Sequence, residues 1–158
     1  MTRFASYIVV AASAAISSNF AWAADVTSTF SGSTANWTTA AWANVPAMGG
    51  YPNNGNAGVA TYDAVLSGSG TLTLDQKIVI QKFTMGGGTV NGSFDLTTND
   101  LLHWTGGYMS GTGITNANGG LQIDGTYNYL DTRTLNVNGS ASFTGSTSQL
   151  GIIYMSNG

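Results

Sequence analysis

One histidine, His103, stands in a chain with seven aspartates, no glutamate and no cysteine. A lone imidazole limits acid–base and metal chemistry. It serves a Ser-His-Asp arrangement only where a serine and an aspartate meet it in space, and no Gly-x-Ser-x-Gly run joins a strand to a helix here. Its neighbours Leu102 and Trp104 place it on a strand, so a solvent-facing or stacking histidine is expected rather than a catalytic base. The remaining candidates are Asp95, Asp100, Asp124 and Asp131, with Arg133 just beyond the last. A two-carboxylate glycosidase needs its pair about 5–10 Å apart across a groove, and the short turns of this sequence do not wall one. Neither an EF-hand run of acids nor a Gly-Gly-x-Gly-x-Asp calcium repeat occurs, and single aspartates at turns are expected to serve as Asx-turn formers. The reading is therefore not an enzyme, with no catalytic residue, metal or cofactor assigned.

Aromatic residues are the candidates for binding. Trp37 and Trp42 fall near the start of the chain and read as a lid over an exposed core, with a sugar-stacking platform as the alternative for the same rings. Tyr108, Tyr127 and Tyr129 read as contact residues on the surface of the repeats, against the alternative of core or ladder stacking.

The elements that must position these residues are short. From Thr71 to Gly145, small apolar pieces (Leu72/Leu74, Ile78/Ile80, Val90, Leu121/Ile123, Leu135/Val137) alternate with Gly, Asn, Ser and Thr, which predicts half-buried strands of about 3–6 residues. Further strands are expected at Val26 to Phe30 and Thr61 to Leu66. Three units echo one another: Gly87-Gly88-Thr89-Val90-Asn91-Gly92, Gly106-Gly107-Tyr108-Met109-Ser110-Gly111 and Gly119-Gly120-Leu121-Gln122-Ile123-Asp124-Gly125. A Gly-Gly, strand, Gly unit suits the corners of a coiling parallel sheet, where the backbone needs positive φ or close approach. The first two units lie 19 residues apart and the next step is 13, a degenerate repeat. About 120 residues at ~20 per turn predict roughly six turns.

Composition narrows the setting. Charged residues make up 7% of the 158-residue chain, against about 25% in ordinary globular domains. With a net charge of −3, such a surface offers phosphates little to pair with, which excludes nucleic-acid binding as an expectation. Residues 1–23 read as a secretory signal peptide: Arg3, the apolar run Phe4 to Ile16, and Ala21-Trp22-Ala23 before the cleavage point. The apolar run is too short for the ~20 residues of a spanning helix, and the mature chain is expected not to span a membrane. Residues 24–60 are then expected to form an N-terminal cap and first rung, and residues 61–158 the solenoid repeats. The chain ends directly after the apolar run Ile152-Ile153-Tyr154-Met155, which predicts a truncated solenoid, either the N-terminal part of a longer protein or an early-terminated reading frame; a piece that only begins the solenoid would work as a spacer.

The order of these pieces carries a resemblance. Asn36-Trp37, Trp42, Tyr51-Pro52-Asn53-Asn54-Gly55, Thr61-Tyr62-Asp63-Ala64-Val65, His103-Trp104-Thr105-Gly106-Gly107-Tyr108-Met109-Ser110-Gly111 and Arg133-Thr134-Leu135-Asn136-Val137-Asn138-Gly139 resemble the opening of bacterial exported repeat proteins, autotransporter-passenger-like or filamentous-adhesin-like. The resemblance implies an all-β, right-handed parallel β-helix secreted or displayed at the cell surface. A structural and adhesive module is expected, making weak multivalent contact with polysaccharide or matrix. The alternative is a β-helical polysaccharide lyase or hydrolase. Thr98-Asn99-Asp100 is similar to the Asn-Thr-Asp element of the pectin hydrolases, and Arg133 beside Asp131 is similar to a lyase's proton abstractor near its acids.

Overall fold

The computed structural model describes residues 25–125 and 127–144, together with the backbone of 154–155. The signal-peptide reading lies outside the described residues, as does most of the terminal apolar run. The chain is all-β, a β-solenoid of about four turns. Its strands are β1 (Val26–Phe30), β2 (Thr34–Asn36), β3 (Ala43–Val45), β4 (Tyr62–Leu66), β5 (Thr71–Thr73), β6 (Ile78–Ile80), β7 (Lys82–Asn91) and β8 (Leu96–Thr98). Then follow β9 (Leu102–Met109), β10 (Ile114–Ala117), β11 (Leu121–Ile123), β12 (Asn128–Leu130), β13 (Thr134–Val137), β14 (Ala141–Phe143) and β15 (Tyr154–Met155).

Three sides build each turn. On the first, β1, β4, the start of β7, the start of β9, β11 and β14 pair in parallel. On the second run β2, β5, the end of β7, the end of β9, β12 and β15. The third holds β6, β8, β10 and β13. Because pairing along each side is parallel, with register shifts in the β7–β9 ladder only at its glycine corner, side chains on a side stand above their counterparts one turn away, and alternation sends alternate columns inward. The inward columns are apolar: Leu72, Val90 and Met109 on the second side, Ala64, Phe83, Leu102 and Leu121 on the first, all buried.

The outward columns explain the scarcity of charge. Like charges directly opposite one another on neighbouring strands repel, and an in-register coil would place them so at every turn. Stacked amides instead bond to each other: Asn136 Nδ2 donates to Asn116 Oδ1 at 3.1 Å, and Asn138 Nδ2 to Asn118 Oδ1 at 2.8 Å.

The glycine echo has a backbone cause. Gly88 and Gly107 take φ of 69° and 96° at the corner between the first and second sides. There a Cβ on Gly107 would lie 2.5 Å from the carbonyl oxygen of Gly88 one turn away. Gly107→Ala is expected to destabilise the fold by about 2–3 kcal/mol in urea unfolding. Gly49→Ala, whose Cβ meets nothing within 4 Å, should stay within about 0.5 kcal/mol. The third unit, Gly119-Gly120, belongs to a different corner, leading into β11 on the first side. The 13-residue offset in the sequence is therefore a step between sides, whereas Phe83, Leu102 and Leu121 stack at the true stride of 19.

About four turns stand where length predicts six. Part of the difference, just under one turn, lies at the start: Val26 pairs with Tyr62, 36 residues on, instead of with a residue 19 away. The excursion closes the end of the coil. Strand β3 runs antiparallel along the edge of β1, with Thr27 opposite Val45. Asn54 donates its amide to Val79 O at 2.7 Å, and Asn53 Oδ1 accepts the Val79 amide at 2.9 Å, which satisfies the edge of β6. Covered edges of this kind blunt strand-to-strand association.

Candidate functional site

The outer face of the second side brings two of the sequence candidates together. Thr34, Thr71, Thr89, Tyr108 and Tyr129 occupy one register column, and Tyr154 continues it in the next strand. The Tyr108 and Tyr129 rings stack with centroids 4.5 Å apart and planes within 7°. The stack alone contributes about 0.5–1.5 kcal/mol beyond burial. Tyr108 keeps 49% of its surface open although one ring face is covered. Its register neighbour on the other side is the smaller Thr89, so a half-exposed phenol ring stands as a wall at the end of a floor of threonines. Asn36, Thr73 and Asn91 flank that floor in a parallel column. Tyr127 is exposed on the loop into β12, and its carbonyl accepts the Gly107 amide at 2.9 Å, which anchors the loop beside the stack. None of the side chains of the wall and floor is charged.

The tryptophans are placed elsewhere. Trp37 is fully enclosed, and its Nε1 donates to Pro52 O at 2.8 Å. Trp42 is half-buried and donates from Nε1 to Trp37 O at 2.9 Å. The rings lie 4.8 Å apart, with Phe83 of the next turn 5.9 Å from Trp37 and Phe30 5.7 Å from Trp42. Trp37 thus corrects the platform alternative: an indole with no exposed surface packs the lid and offers no face to a sugar.

His103 stands outward on the first side, half-buried, with Nε2 2.8 Å from Asp124 Oδ2. Gln122 Nε2 donates to the same oxygen at 3.1 Å. The sequence reading named both residues without pairing them. The stride would have found the pair, since His103 lies level with Gln122 one turn on and Asp124 follows directly after that strand. The arrangement holds an imidazole in place; the atoms around it supply a carboxylate and an amide.

Four of the other aspartates accept backbone amides. Asp95 Oδ1 accepts the Ile114 amide at 2.9 Å, Asp63 Oδ1 the Lys82 amide at 3.1 Å, and Asp100 Oδ1 the Leu101 amide at 2.9 Å. Asp75 accepts both the amide and the hydroxyl of Thr38. Burial raises the Asp63 carboxyl above its ordinary range, opposed by Lys82, and burial also raises the Tyr62 phenol. Among the described residues no group of three His, Cys, Asp or Glu side chains is placed to hold a metal ion.

Arg133 is the largest departure from the sequence reading. Likened in the sequence to a lyase's proton abstractor beside Asp131, it is buried, with 3% of its surface exposed. Its Nε donates to Thr115 Oγ1 at 2.7 Å, Nη2 to Phe94 O at 2.9 Å and Ile114 O at 3.3 Å, and Nη1 to Gly92 O at 3.3 Å and Ser110 O at 3.4 Å. Burial pushes the guanidinium down to about 10, with Asp95 acting against that fall, so it stays charged at neutral pH. Its donors are occupied by the chain itself, which is the geometry of a clamp rather than of a proton abstractor.

No family model, curated protein or solved structure matches the chain.

Proposed function

We propose that this chain is a structural and adhesive β-solenoid module, secreted or displayed at the cell surface, that makes weak multivalent contact with polysaccharide or matrix. The coil is right-handed, as parallel crossovers between twisted strands almost always are. Export is supported by the charge, apolar run and small residues of the first 23 positions. One observation carries the binding reading: a half-exposed tyrosine ring ends a row of outward threonines on an uncharged side of the coil. The apolar face of a pyranose ring packs on the phenol, while its hydroxyls meet threonine hydroxyls and flanking asparagine amides. A single subsite of this kind is weak, and affinity grows when several copies engage one chain.

The test is retention of the purified chain on insoluble neutral polysaccharides, cellulose and chitin among them. The wild type is expected to be retained without release of reducing ends or unsaturated products. Tyr108→Ala, which removes the wall and leaves the core untouched, should weaken binding about five- to tenfold, the equivalent of ~1 kcal/mol. Product release that disappears on Asp131→Ala would replace this reading with a polysaccharide-cleaving enzyme. Equal retention of wild type and Tyr108→Ala would move the contact off this face.

A further inference from the structure

We propose that Tyr108 and Tyr129 form an intramolecular oxidative cross-linking site, at which a one-electron oxidant of the haem-peroxidase class, supplied with hydrogen peroxide, joins the two rings as dityrosine. The inference is independent of the glycan-contact reading. It rests first on geometry. The rings are stacked at 4.5 Å with planes within 7°, and they are held there by strands β9 and β12, in register at Tyr108 and Tyr129. Two reacting groups fixed in contact gain the effective concentration of an intramolecular reaction. Access is the second point: Tyr108 is 49% exposed and Tyr129 is half-buried, so an oxidant in solution reaches the pair, and the ring that must turn during coupling faces open water. Among the described residues this is the tyrosine pair in ring contact.

The chemistry balances within the two side chains and one peroxide. Each phenol loses one electron to the oxidant and its hydroxyl proton to water, giving a neutral phenoxyl radical with spin at the ring carbons ortho to oxygen. The two radicals combine through one Cε of each ring, forming a single carbon–carbon bond. The hydrogen on each bonded carbon then moves to its ring oxygen through water, restoring both aromatic rings. Two electrons and two protons leave in total, and they reduce one hydrogen peroxide to two waters. The product staples two successive turns of the coil. A cysteine-free chain has no disulfide for that purpose in an oxidising setting.

The experiment treats the full chain, dilute enough to suppress dimers, with a plant haem peroxidase and hydrogen peroxide. The expected result is a monomer lacking two hydrogens, dityrosine fluorescence, a digest fragment joining positions 108 and 129, and a higher urea midpoint. Tyr129→Phe and Tyr108→Phe, which keep the ring stack and therefore the fold, should each abolish the link, and Tyr127→Phe should retain it. A monomer without the link, a link that maps to Tyr127, or a link that survives in Tyr129→Phe would each overturn the proposal.

Discussion

Replacing Arg133 by methionine is expected to cost about 3–5 kcal/mol of folding stability, read as a lower urea midpoint with an unchanged slope. Methionine approximates the length of the side chain and supplies no donor. The carbonyls of Phe94, Ile114 and Ser110 and the hydroxyl of Thr115 would lose the guanidinium that now bonds them. Thr115 stands in an inward column otherwise filled by Ile78, Leu96 and Leu135, a polar residue that makes sense only as the acceptor for Nε. Gly113 makes the passage: a Cβ there would lie 2.9 Å from Nη1 and 2.2 Å from Phe94 O. The clamp opposes its own burial. Burial lowers the folded-state pKa to about 10, below that of the free group, so the unfolded chain binds the proton more tightly. That contribution to stability is therefore unfavourable below pH 10 and is relieved as pH rises above it. The hydrogen bonds must outweigh it at neutral pH, so Arg133→Lys, with at most three donors at a point charge, should recover only part of the loss. A cost below about 1 kcal/mol for the methionine variant would mean that water reaches those carbonyls.

The contrast between what the sequence predicts and where the side chains fall has a single physical origin. Patterns local to one strand are legible: the alternation at Val26 to Phe30 and Tyr62 to Leu66, and the apolar pairs Leu72/Leu74 and Ile78/Ile80, are strands or strand ends with the predicted residues buried. The corner glycines are legible too, because positive φ selects glycine by itself. Contacts between turns require the stride, and the stride is disguised. It runs 19 from Phe83 to Leu102 but 21 from Tyr108 to Tyr129, since a longer loop precedes β12. A 36-residue first turn hides it again at the start. The His103–Asp124 pair and the tyrosine stack are both next-turn contacts, visible only once that stride is known. Arg133 was unreadable for a different reason. The nearest charge in sequence is Asp131, and nothing adjacent announces five acceptors lying one and two turns below it.

Trp37→Ala is expected to cost about 3–5 kcal/mol and, unlike the arginine variants, to change how the molecule associates. The indole fills the closed end of the coil, packed against Trp42 and Phe83 with no surface exposed. Its main chain also ties the excursion to the second turn, through Trp37 N to Thr73 O at 2.8 Å, and its Nε1 holds Pro52 in the segment that satisfies β6. Removing the ring loosens the loop that carries β3 and Asn53-Asn54, and with it the cover on β1 and β6. Uncovered parallel edges pair with whatever strand they meet, so the alanine variant should form higher oligomers in sedimentation at urea concentrations where the wild type is monomeric. Trp37→Phe separates the two roles of the residue: it keeps most of the packing and loses only the bond to Pro52, which predicts a cost of about 1–2 kcal/mol and no association. A destabilised but strictly monomeric Trp37→Ala would show that β3 and Asn53-Asn54 hold the edge without the ring, and that the lid is filled core rather than the lock on the end of the coil.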